Sequence, residues 1–279
     1  MSYANRVRRD KIREYLVRHR SAGVKDLGRQ LNTSEATIRR DLRELALEDG
    51  YRRTRGGISL DDSRAELSVL QRGHIQGEQK KSIGRKAAEL VSDGEVIFLG
   101  SGSTAIEVAR NLDRHRDLTV ITNSLPIITL LADNPRVSLL AAGGALRRSE
   151  LSFIGHIVEK ALTELRADKV IMGIHGIHPE HGLTNEYLPE AIVDRFLVHY
   201  APQLVIVADS SKLGKTKASF VGGIEDIDVL VTDPGISPEM KTELESRGVK
   251  VVLAEESRFR AGSDGSMTDG SPAGSKEGR

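Results

Sequence analysis

The run Val24-Lys-Asp-Leu-Gly-Arg-Gln-Leu-Asn-Thr-Ser-Glu-Ala-Thr-Ile-Arg-Arg-Asp-Leu42 sets two short helical segments on either side of a polar turn. Val24, Leu27 and Leu31 recur at helical spacing. Asn32-Thr33 makes the turn, and Ser34 is a natural N-cap for a helix reaching about Glu48. On that helix Ile38, Leu42 and Leu45 share one side at about 100° per residue. Arg40 and Arg43 lie opposite, Arg39 is on the flank, and Glu35 and Thr37 occupy the first turn. A helix held by one apolar stripe that turns guanidinium groups outward has the geometry of a helix-turn-helix, because the major groove accepts a helix and Arg reads guanine bidentately. Upstream, residues 6–20 read as a further helix with Val7, Ile12, Tyr15 and Leu16 on its apolar side. Downstream, Gly50 ends the third helix. Tyr51-Arg-Arg-Thr-Arg-Gly-Gly-Ile58 then reads as a tight hairpin turning on Gly56-Gly57, a wing carrying Arg52, Arg53 and Arg55.

The charge distribution agrees. Residues 1–59 hold 15 Lys/Arg against 8 Asp/Glu, whereas residues 60–279 hold 26 against 32, so a net of +1 conceals a basic head on an acidic body. A basic module implies a polyanion. Five Phe, five Tyr and no Trp leave little for stacking on single strands, which favours duplex DNA. The absence of cysteine excludes disulfides, thiolate catalysis and thiolate zinc sites. No secretory signal or membrane span is legible, so the expected location is the cytoplasm. A length of 279 residues accommodates two domains.

The Val24–Leu42 run, and above all its Thr37-Ile-Arg-Arg-Asp-Leu42 hexapeptide followed by Arg53-Thr-Arg-Gly-Gly57, resembles the N-terminal signature of the DeoR family of bacterial transcription regulators. That family usually has His just before the two wing glycines; here Arg55 stands there, a stronger cation. The resemblance implies a C-terminal effector domain related to ribose-5-phosphate isomerase.

The remaining residues carry that expectation independently. Residues 60–79 read as a polar linker. Beyond them, apolar runs at Val96–Leu99, Leu118–Ile121, Val137–Ala141, Lys169–Met172, Leu204–Ala208, Val229–Thr232 and Val249–Leu253 alternate with amphipathic segments. This pattern belongs to a mostly parallel sheet covered by helices. The expected fold is therefore α/β: an N-terminal winged helix-turn-helix (residues 1–59) followed by a larger α/β effector domain (80–258). A tail (259–279) is too poor in apolar residues to order itself.

In open α/β sheets ligands bind beyond the carboxyl ends of the strands. Those ends here carry Gly100-Ser101-Gly102-Ser103-Thr104, Thr122-Asn123-Ser124, Gly143-Gly144, Gly173-Ile-His175-Gly and Asp209-Ser-Ser-Lys212. The first suits a phosphate and Lys212 adds a charge. No acid follows at Ile121-Thr122-Asn123 to hold a dinucleotide ribose, and no Gly-Lys-Ser/Thr completes a P-loop. No cofactor is expected, and the remaining candidate is a small phosphorylated ligand. Lys80-x-x-Ile83, Asp93-Gly94 and the loops above fall where DeoR effector domains carry their markers. Lys80, Gly100 to Thr104, Asn123, Gly143, Gly144, His175 and Lys212 form the expected effector site.

A sugar-phosphate isomerase is the alternative. Such an enzyme needs a carboxylate base, and the loop Gly173-Ile-His-Gly-Ile177 offers none, although Glu186 and Glu190 lie downstream. The spacing His175-x-x-His178-x-x-His181 raises the question of a metal, but it does not fit one helix face, and Gly176, Pro179 and Gly182 make the segment a loop. His175 is expected at the ligand, with no metal bound. The reading is a DNA-binding regulator, a repressor of a carbohydrate operon released by a phosphorylated sugar, acting as a homodimer or homotetramer.

Overall fold

A computed structural model describes residues 3–47, 51–60 and 67–255. The end of the third helix at Gly50, part of the linker and the tail of residues 259–279 lie outside them.

The head begins with α1 (Tyr3–His19), β1 (Ser21–Gly23), α2 (Val24–Gln30) and α3 (Glu35–Leu45) and closes with β2 (Tyr51–Thr54) and β3 (Gly57–Leu60). Ile12, Leu16, Leu27, Ile38, Leu42, Leu45 and Ile58 form its core, so the apolar stripe read on each helix is the buried one. Asn32 takes a left-handed φ of 46° in the turn, and the Thr33 N–H donates to Gly28 O at 2.9 Å. The wing is a three-stranded antiparallel sheet ordered β1-β3-β2. Its register pairs Thr54 with Gly57, so the turn is made by Arg55-Gly56 and not by Gly56-Gly57 as the sequence reading placed it. Gly57 is needed for a different reason: a Cβ there would lie 2.1 Å from Ala22 O on β1. The third strand was invisible because Ser21-Ala-Gly23 is too short to show a period.

Asp41 is almost fully buried, and its carboxylate accepts from Arg8 Nε at 2.5 Å and faces Arg9 Nε at 3.5 Å. It ties α1 to the inner side of α3 while Arg39 and Arg40 face out.

Residues read as linker carry α4 (Val69–Gly73) and the start of α5 (Gly77–Ala88). This part is not a detached connector, because Val69 is buried in the body's core and its N–H donates to Ser149 O at 2.7 Å. The body then runs β4 (Val96–Leu99), α6 (Ser103–Ala109), β5 (Leu118–Thr122), α7 (Leu125–Leu131) and β6 (Val137–Ala141). A hairpin follows, β7 (Ala145–Arg147) and β8 (Ser152–Ile154), then α8 (His156–Glu164) and β9 (Lys169–Met172). Next come β10 (Gly176–His178), β11 (Gly182–Asn185), α9 (Leu188–Val198), β12 (Leu204–Val207) and β13 (Ser219–Gly222). The last elements are β14 (Val229–Thr232), α10 (Pro238–Ser246) and β15 (Lys250–Leu253).

All seven strands read from the sequence join one parallel sheet, ordered β15-β14-β12-β9-β4-β5-β6. Successive residues of its central strands enter opposite cores: Ile97 and Leu99 pack on one face, Phe98 on the other. Burial on both faces is why these strands read as continuous apolar runs. The chain leaves β4 toward β5 and β6 on one side and returns to β9 and β12 on the other. The carboxyl ends of β4 and β9 therefore flank the crevice where strand order reverses.

Candidate functional site

Two sites emerge, one on each part. On α3, the Ser34 hydroxyl accepts from Thr37 N–H at 3.3 Å and lies 2.9 Å from Thr37 Oγ1, so both residues build the helix start. Glu35 pairs with Arg39 at 3.1 Å, and Arg43 Nε donates to Arg39 O at 3.4 Å. Arg40, Arg52, Arg53 and Arg55 are exposed and form no ion pair among the described residues. The head thus presents unneutralised guanidinium groups on one helix and one hairpin, the arrangement that meets phosphates and base edges.

The second site lies at the strand reversal. It is lined by Ser101 to Thr104 after β4, Gly173 to His175 after β9, and Val207, Ala208, Asp209 and Lys212 at the end of β12. Of the expected effector residues, Lys80, Ser101, Gly102, Ser103, Thr104, His175 and Lys212 line it together. Gly102 has φ 118°, a left-handed backbone that glycine permits, so the loop can fold over the crevice. Gly100, Asn123, Gly143 and Gly144 are not among the lining residues. Gly100 sits against Met172, where a Cβ would come within 2.9 Å. The Asn123 amide donates to Phe153 O at 3.0 Å, and Gly144 lets Ile154 O and Val158 approach. Gly100 and Gly144 lie close against Met172, Ile154 and Val158 in this structure.

The wall also holds residues the sequence reading did not assign to the pocket: Arg72, Glu150 and Asp194, together with Glu190, noted there only as a possible enzyme base. Arg72 comes from the supposed linker and donates to Glu150 Oε1 at 2.5 Å. Glu190 faces Arg147 in an almost fully buried pair and accepts weakly from Ser101 Oγ at 3.4 Å. Asp194 is pushed toward the protonated form, first by burial and then by Glu190 beside it, and the Asn185 amide bonds to it. The loop after β9 brings no carboxylate to the crevice, as read from the sequence. Acids are present, but they arrive from β8's hairpin (Glu150), α9 (Glu190 and Asp194) and the end of β12 (Asp209), and each is engaged by a partner. An engaged or protonated carboxylate is a poor base.

Burial lowers the pKa of Lys80 to about 8, with Asp209 opposing the shift and Lys212 and Arg72 adding to it. Lys212 is also lowered, mainly by burial. Burial holds His175 neutral, helped by Arg72 and Lys212. Its Nδ1 is buried with no hydrogen-bond partner, so it can bond a ligand hydroxyl. The crevice therefore has a cationic end for an anion and a neutral imidazole for a hydroxyl. Its volume is about 40 Å³, room for roughly three waters.

His178, Glu180 and His181 bring ligand atoms within 4.8 Å of one another at the β10–β11 hairpin. His178 Nδ1 already accepts from Glu180 N–H at 3.1 Å, and the Arg247 guanidinium is anchored on Pro179 O beside them. His175 lies apart from this group, in the crevice. No helix among the described residues is long and apolar enough to cross a membrane.

Comparison with known proteins follows the same division. Relatives include the HTH-type transcriptional repressor GlcR of Bacillus subtilis, 31% identical over 88% of this chain and 95% of its own length. The HTH-type transcriptional regulator GlpR of Haloferax volcanii is 32% identical over 82% of this chain and 90% of its own. Among solved structures, ribose 5-phosphate isomerase from Plasmodium falciparum overlaps 49% of this chain and 52% of its own at 20% identity, with a TM-score of 0.36. The relatives are named as regulators and repressors, which places this chain with DNA-binding regulators and not with enzymes. Residues 8–64 match the DeoR-like helix-turn-helix domain and residues 75–234 the DeoR C terminal sensor domain, and the chain belongs to the DeoR family.

Proposed function

We propose that this regulator represses a carbohydrate operon in the cytoplasm and releases its operator when a phosphorylated sugar enters the crevice. Arg39, Arg40 and Arg43, positioned by Ser34, Glu35 and Thr37, take the major groove; Arg52, Arg53 and Arg55 take backbone phosphates or the adjacent groove. Lys80, Lys212 and the Ser101–Thr104 loop hold the phosphate, and His175 meets a hydroxyl. The head is residues 1–59, and the sensing body starts at α4, earlier than position 80.

One observation carries the coupling. Lys80 Nζ donates to Arg72 O at 2.6 Å and Ile75 O at 2.7 Å, the carboxyl end of α4, while the Arg72 side chain spans the crevice to Glu150. The same segment touches the head at both its ends: Leu67 packs on the head's core and His74 Nδ1 lies 3.3 Å from Asp10 of α1. A phosphate that draws Lys80 and Arg72 to itself takes two holds off α4, and differential affinity for the two arrangements is what release requires. Such coupling is typically about 1–3 kcal/mol.

The test is a gel shift with a duplex covering the regulator's own promoter, with and without hexose and pentose phosphates. Binding that weakens steeply with salt and is relieved by one of the sugars supports the reading. No duplex binding by wild type at low salt contradicts it. Aldose–ketose conversion of those sugars by the full chain would restore the isomerase alternative.

A further inference from the structure

The turn between β10 and β11, His178-Pro179-Glu180-His181-Gly182, gathers side chains that the regulatory reading does not use. Its register pairs His178 with Gly182, and Gly182 takes a left-handed φ of 69°, so the chain reverses over Pro179, Glu180 and His181. The reversal stacks the two imidazoles, with ring centroids 4.5 Å apart and planes 29° from parallel. The Glu180 carboxylate completes the group, one donor atom of each residue lying within 4.8 Å of the others. Neither that carboxylate nor the His181 ring forms a hydrogen bond or ion pair among the described residues. The backbone beneath them is fixed: Pro179 is buried, and its carbonyl accepts from the Arg247 guanidinium at 2.9 Å. The charge of Arg247 is met in turn by Glu243 at 3.1 Å.

We propose that His178, Glu180 and His181 bind a divalent transition cation, with zinc as the reference case. Two imidazoles and one carboxylate suit zinc and its neighbours in the first transition row, whereas magnesium and calcium take oxygen donors. The set differs from the three histidines weighed in the sequence, because His175 lines the effector crevice and Glu180 stands in its place. Around zinc, tetrahedral donors stand about 3.3 Å from one another. Glu180 and His181 are exposed, so rotation about their side-chain bonds closes the remaining distance without moving the backbone. His178 supplies the Nδ1 lone pair that now accepts the Glu180 N–H at 3.1 Å, an exposed bond whose donor passes to water. Three protein donors leave a fourth position to solvent. The cation pins the tip of a hairpin whose strands lead to His175 and Asn185 on the crevice wall, where the His175 N–H donates to Asn185 Oδ1 at 3.1 Å. The site stands whether or not the crevice takes a sugar phosphate, so it is tested without DNA or effector.

The chain has no cysteine to compete for the metal. Chelator-stripped full-length protein titrated with zinc chloride in calorimetry should bind a single strong equivalent. His178→Ala, His181→Ala and Glu180→Gln should each weaken it at least about tenfold, a loss already typical of changes one shell further out. His199→Ala, at the end of α9, should bind as wild type does. Cobalt chloride should raise a visible d–d band in wild type that the double variant His178→Ala, His181→Ala lacks, and magnesium chloride should give no heat at the same concentrations. If circular dichroism shows a variant unfolded, histidine modification of wild type decides: zinc should protect His178 and His181 and leave His199 reactive. The proposal is overturned by a wild type that takes up no zinc, by undiminished binding in the double variant or in Glu180→Gln, by equal uptake of magnesium, or by equal protection of His199.

Discussion

The head and the body spend the same residue types in opposite ways. On α3 and the wing, Arg40, Arg52, Arg53 and Arg55 are exposed and without acid partners among the described residues. In the body, Arg72 lines the crevice against Glu150, Arg147 is buried against Glu190, and Lys80 is buried on backbone carbonyls. An exposed guanidinium keeps its hydration and waits for a polyanion whose counterions it can release. A buried, engaged cation has already lost that hydration, so an arriving anion exchanges partners within the site. The head is therefore built for affinity over many weak contacts and the body for a switch over a few strong ones.

Within the head the contrast repeats in miniature. Asp41 is the acid that keeps Arg8 and Arg9 structural, while Arg40 on the outer side of α3 has no acid partner among the described residues. Asp41→Ala removes the carboxylate from two largely buried guanidinium groups and should cost about 3 kcal/mol of head stability. Chemical denaturation of the full chain should show a separate early transition, and an unshifted curve would mean the pair is idle. Gly57→Ala should follow at about 2 kcal/mol by overpacking against Ala22 O, read by the same melt. Arg40→Ala touches no packing, so it should leave the melt unchanged and weaken operator binding by about 1–3 kcal/mol. A loss of stability there would place Arg40 with the structural cations.

The smallest effect concerns the body's titration. Lys80 is charged below about pH 8 and neutral above it, so affinity for a phosphorylated sugar should fall as pH rises through that point, by up to about tenfold per unit. Lys80→Arg should flatten the profile in calorimetry. The same depressed pKa means the unfolded chain binds more protons between about 8 and 10.5, so this group's contribution makes stability rise with pH in that window.

The sheet was legible because its strands are buried on both faces and carry the signal in their own residues, as the run Lys169-Val-Ile-Met172 does. The recognition helix was legible because one stripe and one N-cap suffice. What escaped depended on partners distant in sequence. Arg72 sits in a stretch that reads as polar connector, and only its contact with Glu150, 78 residues away, makes it part of the crevice. Ser21-Ala-Gly23 becomes a strand only because β3 lies beside it. Gly143-Gly144 looked like a ligand loop, yet the space above Gly144 is taken by Ile154 and Val158. Glycine records that something comes close without saying whether it is a ligand or the protein's own backbone.

The central claim, that a small anion in the body loosens the head's hold on duplex DNA, is tested most directly by one titration. Wild type and Lys212→Ala are bound to the same labelled promoter duplex, and anisotropy is followed as hexose and pentose phosphates are added. Equal starting affinity, with release of wild type by one of the sugars and none of Lys212→Ala, is the predicted result. Release of Lys212→Ala at the wild-type concentration would contradict it.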